Sequence, residues 1–172
     1  MALIKSCRGF NPEFGEDCWL AENATVVGDV LVGKNCSIWF NAVVRGDVNS
    51  IRIGNNVNIQ DGAVIHCTYE KTKVYIGDNV SIGHNALVHG CTIEENVLIG
   101  MGSIVMDNCY ISSNCILAAG AVLLEGTTME SWSVYAGIPA KKVKTLSPEL
   151  FQGEVQRIAK NYALYASWFK ES

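Results

Sequence analysis

Charged residues are scarce in this chain, at 17% of 172 positions, and no basic cluster is denser than Lys141, Lys142 and Lys144. At a net charge of −4 it has little of the electrostatic footprint of a nucleic-acid binder. No apolar run approaches the ~20 residues of a membrane span. Residues 1–6 are too short and too polar for a signal peptide. The seven cysteines include no Cys-x-x-Cys pair, and their number is odd. Free thiols in a reducing cytosol, and so a cytoplasmic location, are the expectation. What is abundant is apolar: 49% of residues, enough for one domain with a real core and too much for a disordered chain.

The apolar residues follow an unusual period. An aliphatic side chain recurs every six positions at Val26, Val32, Ile38 and Val44. After a step of nine come Ile53, Ile59 and Ile65, and after a step of eleven Ile76, Ile82 and Val88. A step of five leads to Ile93, Ile99, Val105, Ile111, Leu117 and Leu123. Small or β-branched residues such as Ala42, Ala63, Ala86 and Ala121 stand four positions beyond most of these. A helix has a period of about 3.6 and a simple strand a period of about 2. A period of six means a short strand and a corner, with three units per triangular coil of 18 residues. Chains with this hexapeptide signature wind left-handed, against the usual crossover rule. The expected fold class is therefore all-β: a left-handed parallel β-helix of hexapeptide repeats with a C-terminal α-helix. Residues 1–25 read as a capping segment, 26–146 as the β-helix and 147–172 as the helix. Ser147 and Pro148 supply an N-cap and a first-turn proline, and Val155, Ile158, Ala159, Tyr162, Ala166 and Phe169 line one face. Cys36, Cys109 and Cys115 occupy small inward positions and read as core.

All three histidines lie within residues 57–90. His66 follows Ile65 and His89 follows Val88, so both are first outward positions on one face, one coil apart. They should stack at about the 4.8 Å strand spacing, close enough to share one ion. His84 is two residues past Ile82, on the corner before that face. Five residues of extended chain put it roughly 16 Å from His89. One copy cannot bring His84 to the pair, but a second copy can, and closed threefold symmetry does so for every copy. The expectation is a homotrimer with intersubunit metal sites. Arg45 falls in the His66 column and Asp61 in the His84 column, so Arg45 of one copy should face Asp61 of the next. Met106 and Met101 continue the two columns. Gln60 is placed to hydrogen-bond a water on the metal. Cys67 and Cys91 lie nearby but are weaker ligand candidates.

At this point Arg45-Gly46-Asp47, Asn58-Ile59-Gln60-Asp61-Gly62, His66 and Gly83-His84-Asn85-Ala86-Leu87-Val88-His89-Gly90 resemble the gamma-class carbonic anhydrase family. The resemblance covers nearly the whole chain, including Ala136-Gly137-Ile138-Pro139-Ala140-Lys141 and the helix. It implies a trimer binding zinc (or iron or cobalt, Fe2+ or Co2+) through His66 and His89 of one chain and His84 of its neighbour. It implies reversible hydration of CO2 to bicarbonate by a metal-bound hydroxide. Gln60 would orient the nucleophile, Asn58 line the pocket, and Arg45, Asp47 and Asp61 serve interface and substrate electrostatics. Tyr162 is a candidate for the site opening. In one respect the chain departs from active members of that family. Val48 stands where they carry a glutamate, and the loop Cys67-Thr68-Tyr69-Glu70-Lys71 is short, which leaves Glu70 as the only carboxylate expected nearby. The alternatives are a hexapeptide acyltransferase, suggested by residues 137–141, and a non-catalytic trimeric metal-binding or assembly protein.

Overall fold

The computed structural model describes residues 1–170. It is a left-handed parallel β-solenoid with a C-terminal helix. Three columns of mostly aliphatic side chains run up its inside, one from each face. The first stacks Val26, Val44, Ile65, Val88, Val105 and Leu123. The second stacks Val32, Ile53, Ile76, Ile93, Ile111 and Met129. The third runs from Leu20 through Ile38, Ile59, Ile82, Ile99 and Leu117 to Tyr135. Nearly all of these side chains are buried. Each contributes roughly 1.5–3 kcal/mol by leaving water.

The strands are short because each coil must turn three corners. Asparagines take several of these corners in the left-handed region, with φ of 55° at Asn56, 57° at Asn79 and 56° at Asn96. Asparagine tolerates that region better than other side chains. Here the corner amides also bond each other up the stack, Asn56 to Asn79 at 3.1 Å and Asn79 to Asn96 at 3.2 Å. The opening segment is itself a rung: Leu3–Lys5, Glu13–Phe14 and Trp19–Leu20 each pair in parallel with the coil above.

Departures from six-residue spacing become the features that surround the histidines. The step of nine lengthens the strand Val43–Ile53, which carries Asp47 and Val48 around a corner. The step of eleven becomes a turn at residues 68–72, closed by the Lys71 and Thr72 amides donating to the Thr68 carbonyl at 3.2 Å. At the far end Ser133–Gly137 and Ala140–Thr145 fold into an antiparallel hairpin.

Ser147 caps the C-terminal helix, its hydroxyl accepting from the Leu150 amide at 3.2 Å. Residues Phe151–Gln156, which include Gly153, form a π-helical turn before the regular helix Arg157–Lys170. The helix packs back along the solenoid. Val155 and Ala166 are buried, and Tyr162 and Phe169 meet the Trp39 ring at 5.1 and 5.8 Å. Among the described residues no helix is long and apolar enough to cross a membrane.

Candidate metal centre

His66 ends the strand Val64–His66 and His89 ends Leu87–His89, and the two strands pair with His66 opposite His89. Side chains alternate across a strand, so a residue following a buried Ile65 or Val88 must point outward. The two ring centroids are 5.2 Å apart, and His66 Nδ1 lies 3.2 Å from His89 Nε2.

The outer nitrogen of each ring is held by a carboxylate. Asp47 Oδ1 lies 3.1 Å from His66 Nε2, and Asp107 Oδ1 lies 2.6 Å from His89 Nδ1. Burial works against ionising both acids. Hydrogen bonds from Arg45 and His66 nevertheless hold Asp47 below the usual carboxylate range, and those from Thr68 and His89 do the same for Asp107. An ionised carboxylate only accepts, so the outer ring nitrogens carry the protons. The inner nitrogens then face one another as bare lone pairs 3.2 Å apart. Two lone pairs repel at that distance unless a cation lies between them. A proton is a poor choice: burial, aided by the Arg45 charge, keeps the His66 imidazole below its ordinary range despite Asp47. A divalent ion fits, since two nitrogens at about 2.0–2.1 Å from a tetrahedral zinc stand roughly 3.3 Å apart.

His84 follows the strand Ser81–Ile82, which belongs to the other sheet. Its Nδ1 lies 2.8 Å from Asp61 Oδ2, and its Nε2 lies 3.2 Å from the Tyr162 hydroxyl. Burial, with the Asp61 and Tyr165 charges, pushes the Tyr162 phenol up to about 12, so it stays protonated and donates to Nε2. All three imidazoles thus have one nitrogen held by a carboxylate and the other turned elsewhere. Within this one chain no group of three His, Cys, Asp or Glu that could hold a metal forms among the described residues.

Gln60 is 4% exposed and its amide is fixed from both sides. Its Oε1 accepts from the His84 amide at 3.2 Å, and its Nε2 donates to Asn58 Oδ1 at 3.0 Å. Asn58 in turn donates to Ser81 Oγ at 2.7 Å. Gln60, His84 and Tyr162 line a cavity of about 330 Å³ whose walls also include Leu98, Ile116 and Ala118. Met101 and Met106 are exposed in the two histidine columns. Cys67 and Cys91 point inward and are buried, and burial raises both thiols, which makes them poor ligands.

Inside the chain Arg45 pairs with Asp47 and Asp61 with His84. Ile59 pairs with Ile82, which sets Asp61 directly beside His84. One expectation needs correction: Glu70 is not the only carboxylate near the histidines, because Asp47, Asp61 and Asp107 each touch one. Asp107 was missed by sequence reasoning. Its signal was the pairing of Val88 with Val105, which puts it beside Gly90, where no side chain competes for the space.

A family model described as bacterial transferase hexapeptide (six repeats) matches residues 11–46 and 90–125. The chain is 38% identical to gamma carbonic anhydrase 2, mitochondrial, of Arabidopsis thaliana over 88% of its own length. It spans 56% of that relative, about half its length. It is 34% identical to a carbonic anhydrase of Geobacillus kaustophilus, over 98% of this chain and 91% of the relative. A solved structure of a hexapeptide transferase family protein from Anaplasma phagocytophilum matches with a TM-score of 0.92 at 37% identity, over 97% of this chain and 98% of that one.

Proposed function

The chain belongs to the gamma-class carbonic anhydrase family, and from that premise we propose that it hydrates CO2 reversibly at a metal site completed between the copies of a homotrimer. The observation that carries the reading is the approach of His66 Nδ1 to His89 Nε2, 3.2 Å apart with the outer nitrogen of each ring beside a carboxylate. His84 of a second copy is the third ligand; it carries the same carboxylate support but stands on another face of its own chain. Zinc suits three imidazoles, and Fe2+ or Co2+ accepts the same donors.

When bound, the ion supplies a Lewis-acid charge that brings the pKa of a water from about 15.7 toward about 7. The chain supplies the rest. Gln60 is fixed by Asn58 and the His84 amide, which leaves one N–H and one acceptor lone pair to orient a polar guest. Were His84 Nε2 to hold the ion, the Tyr162 hydroxyl, 3.2 Å from that nitrogen in the free chain, would remain beside the site. The apolar walls of the 330 Å³ cavity admit CO2, which has no net dipole, and weaken the hold on bicarbonate. Arg45 and Asp47 keep the His66 ring from turning. Seven free thiols agree with a reducing, cytoplasmic setting.

Elemental analysis of the purified oligomer, joined to a CO2 hydration assay on wild type and His84→Ala, tests the reading. One ion per chain and measurable hydration are expected, both lost in His84→Ala. Full metal retention by His84→Ala would remove the intersubunit site, and metal without hydration would remove the activity. A hexapeptide acyltransferase is the second reading, supported by the transferase name of the structural relative. It needs one histidine as general base and no ion, so acyl transfer by a metal-free oligomer would favour it.

A further inference from the structure

We infer that Asp107 is a positioning residue of this centre: its carboxylate sets the tautomer and orientation of His89 and ties that ring to the turn at residues 68–72. The inference rests on the metal reading given under Proposed function. Asp107 follows the strand Ile104–Val105, which lies beside Leu87–His89. That pairing places it level with Gly90, one step beyond His89. Oδ1 accepts from His89 Nδ1 at 2.6 Å and from Thr72 Oγ1 at 3.3 Å. Oδ2 accepts from Thr68 Oγ1 at 2.6 Å. Thr72 Oγ1 also accepts from the Thr68 amide at 2.9 Å, which closes the network.

A carboxylate has no proton to give, so His89 must carry its hydrogen on Nδ1 and present Nε2 bare toward His66. The ring is therefore held in the tautomer that can ligate an ion before any ion arrives. The three histidine-linked carboxylates differ in how firmly they are held. Asp61 has only His84 as a side-chain partner among the contacts described, and its side chain is 40% exposed. Asp47 divides itself between His66 and Arg45. Asp107 is held by two threonine hydroxyls from the turn, and its side chain is 23% exposed. The neighbouring position is cleared for it, since a Cβ on Gly90 would overlap Asp107 and Thr72. The insertion at residues 68–72 thus acts as a clamp on the carboxylate that aims His89.

An anchor for the turn alone would leave the same hydroxyl contacts, so the test separates the two roles. Zinc dissociation constants would be measured by competition with a chromophoric chelator for wild type, Asp107→Asn, and Thr68→Val with Thr72→Val. Asp107→Asn should weaken zinc about 10–100-fold and shift the visible spectrum of the cobalt-loaded protein. The threonine double variant should lose much less affinity while its turn is cut faster by protease. Wild-type zinc affinity and an unchanged cobalt spectrum in Asp107→Asn would overturn the inference. Equal losses in both variants would also overturn it, because Asp107 would then act only through the turn. Ring 15N shifts of His89 in the metal-free wild type need no variant to fold: a protonated Nδ1 is expected, and a protonated Nε2 would overturn the assignment. Zinc binding absent from the wild-type oligomer would overturn the metal reading and this inference with it, whereas normal wild-type binding beside an unaffected Asp107→Asn sinks the inference alone.

Discussion

Cys18 and Cys36 stand one coil apart, because Trp19 pairs with Ser37, and their thiols behave oppositely. A hydrogen bond from Cys36, opposed by burial, lowers the half-buried Cys18 to about 6, while the same bond and burial push Cys36 up. The ionised form of Cys18 grows as pH rises through about 6, so its alkylation rate should rise and level off well below the pH needed for an ordinary thiol. Iodoacetamide labelling followed by peptide mass analysis from pH 5 to 9 checks this; Cys36→Ala should move the profile upward. Val48 follows Asp47, where the family resemblance implies a glutamate, a carboxylate able to pass protons to the buffer. Val48→Glu should raise hydration several-fold at low buffer concentration and little at high buffer, read by stopped-flow indicator kinetics. The identity of the histidines was legible from spacing. Which nitrogen of each ring is held was not, because that depends on carboxylates 18 to 23 residues away brought alongside by register.

At the scale of elements, the hexapeptide period made the columns legible. The steps of nine, eleven and five located each departure from the six-residue period, and the observed pairing of Ile53 with Ile76, Ile59 with Ile82 and Ile65 with Val88 follows that count. Gly90 marks the cost of the clamp beside it, with φ of +49° and no room for a Cβ. Gly90→Ala should destabilise the chain by about 1–3 kcal/mol, seen as a lower urea midpoint with an unchanged slope. The docking of the C-terminal helix was less legible. Its apolar stripe showed that one face is covered, but not that Trp39 is the surface it meets, with Trp19 at 4.7 Å and Tyr162 at 5.1 Å. Trp39→Ala should cost about 3–5 kcal/mol and loosen the helix first, so limited proteolysis would cut near residues 147–160 before the solenoid.

At the scale of the whole molecule, ligand binding and assembly are expected to be one event. A site shared between copies makes the ion a clamp on the oligomer, and metal at 100 times its dissociation constant adds about 2.7 kcal/mol of apparent stability. Stripping with a chelator should lower the melting temperature, make it depend more steeply on protein concentration, and shift the sedimentation profile toward smaller species. Readdition of zinc should reverse all three. A melting temperature indifferent to the chelator would mean that the copies associate without the ion. The sequence by itself determined the solenoid, its register and the positions of His66, His84 and His89 on its faces. Each follows from local periodicity, in which one residue's place on a coil dictates the next. Only the tertiary structure decided which carboxylate holds which ring, that Tyr162 comes back from the helix to cap His84, and that the turn at residues 68–72 grips Asp107. Those contacts join segments from different coils, and their partners are chosen by three-dimensional packing rather than by spacing along the chain.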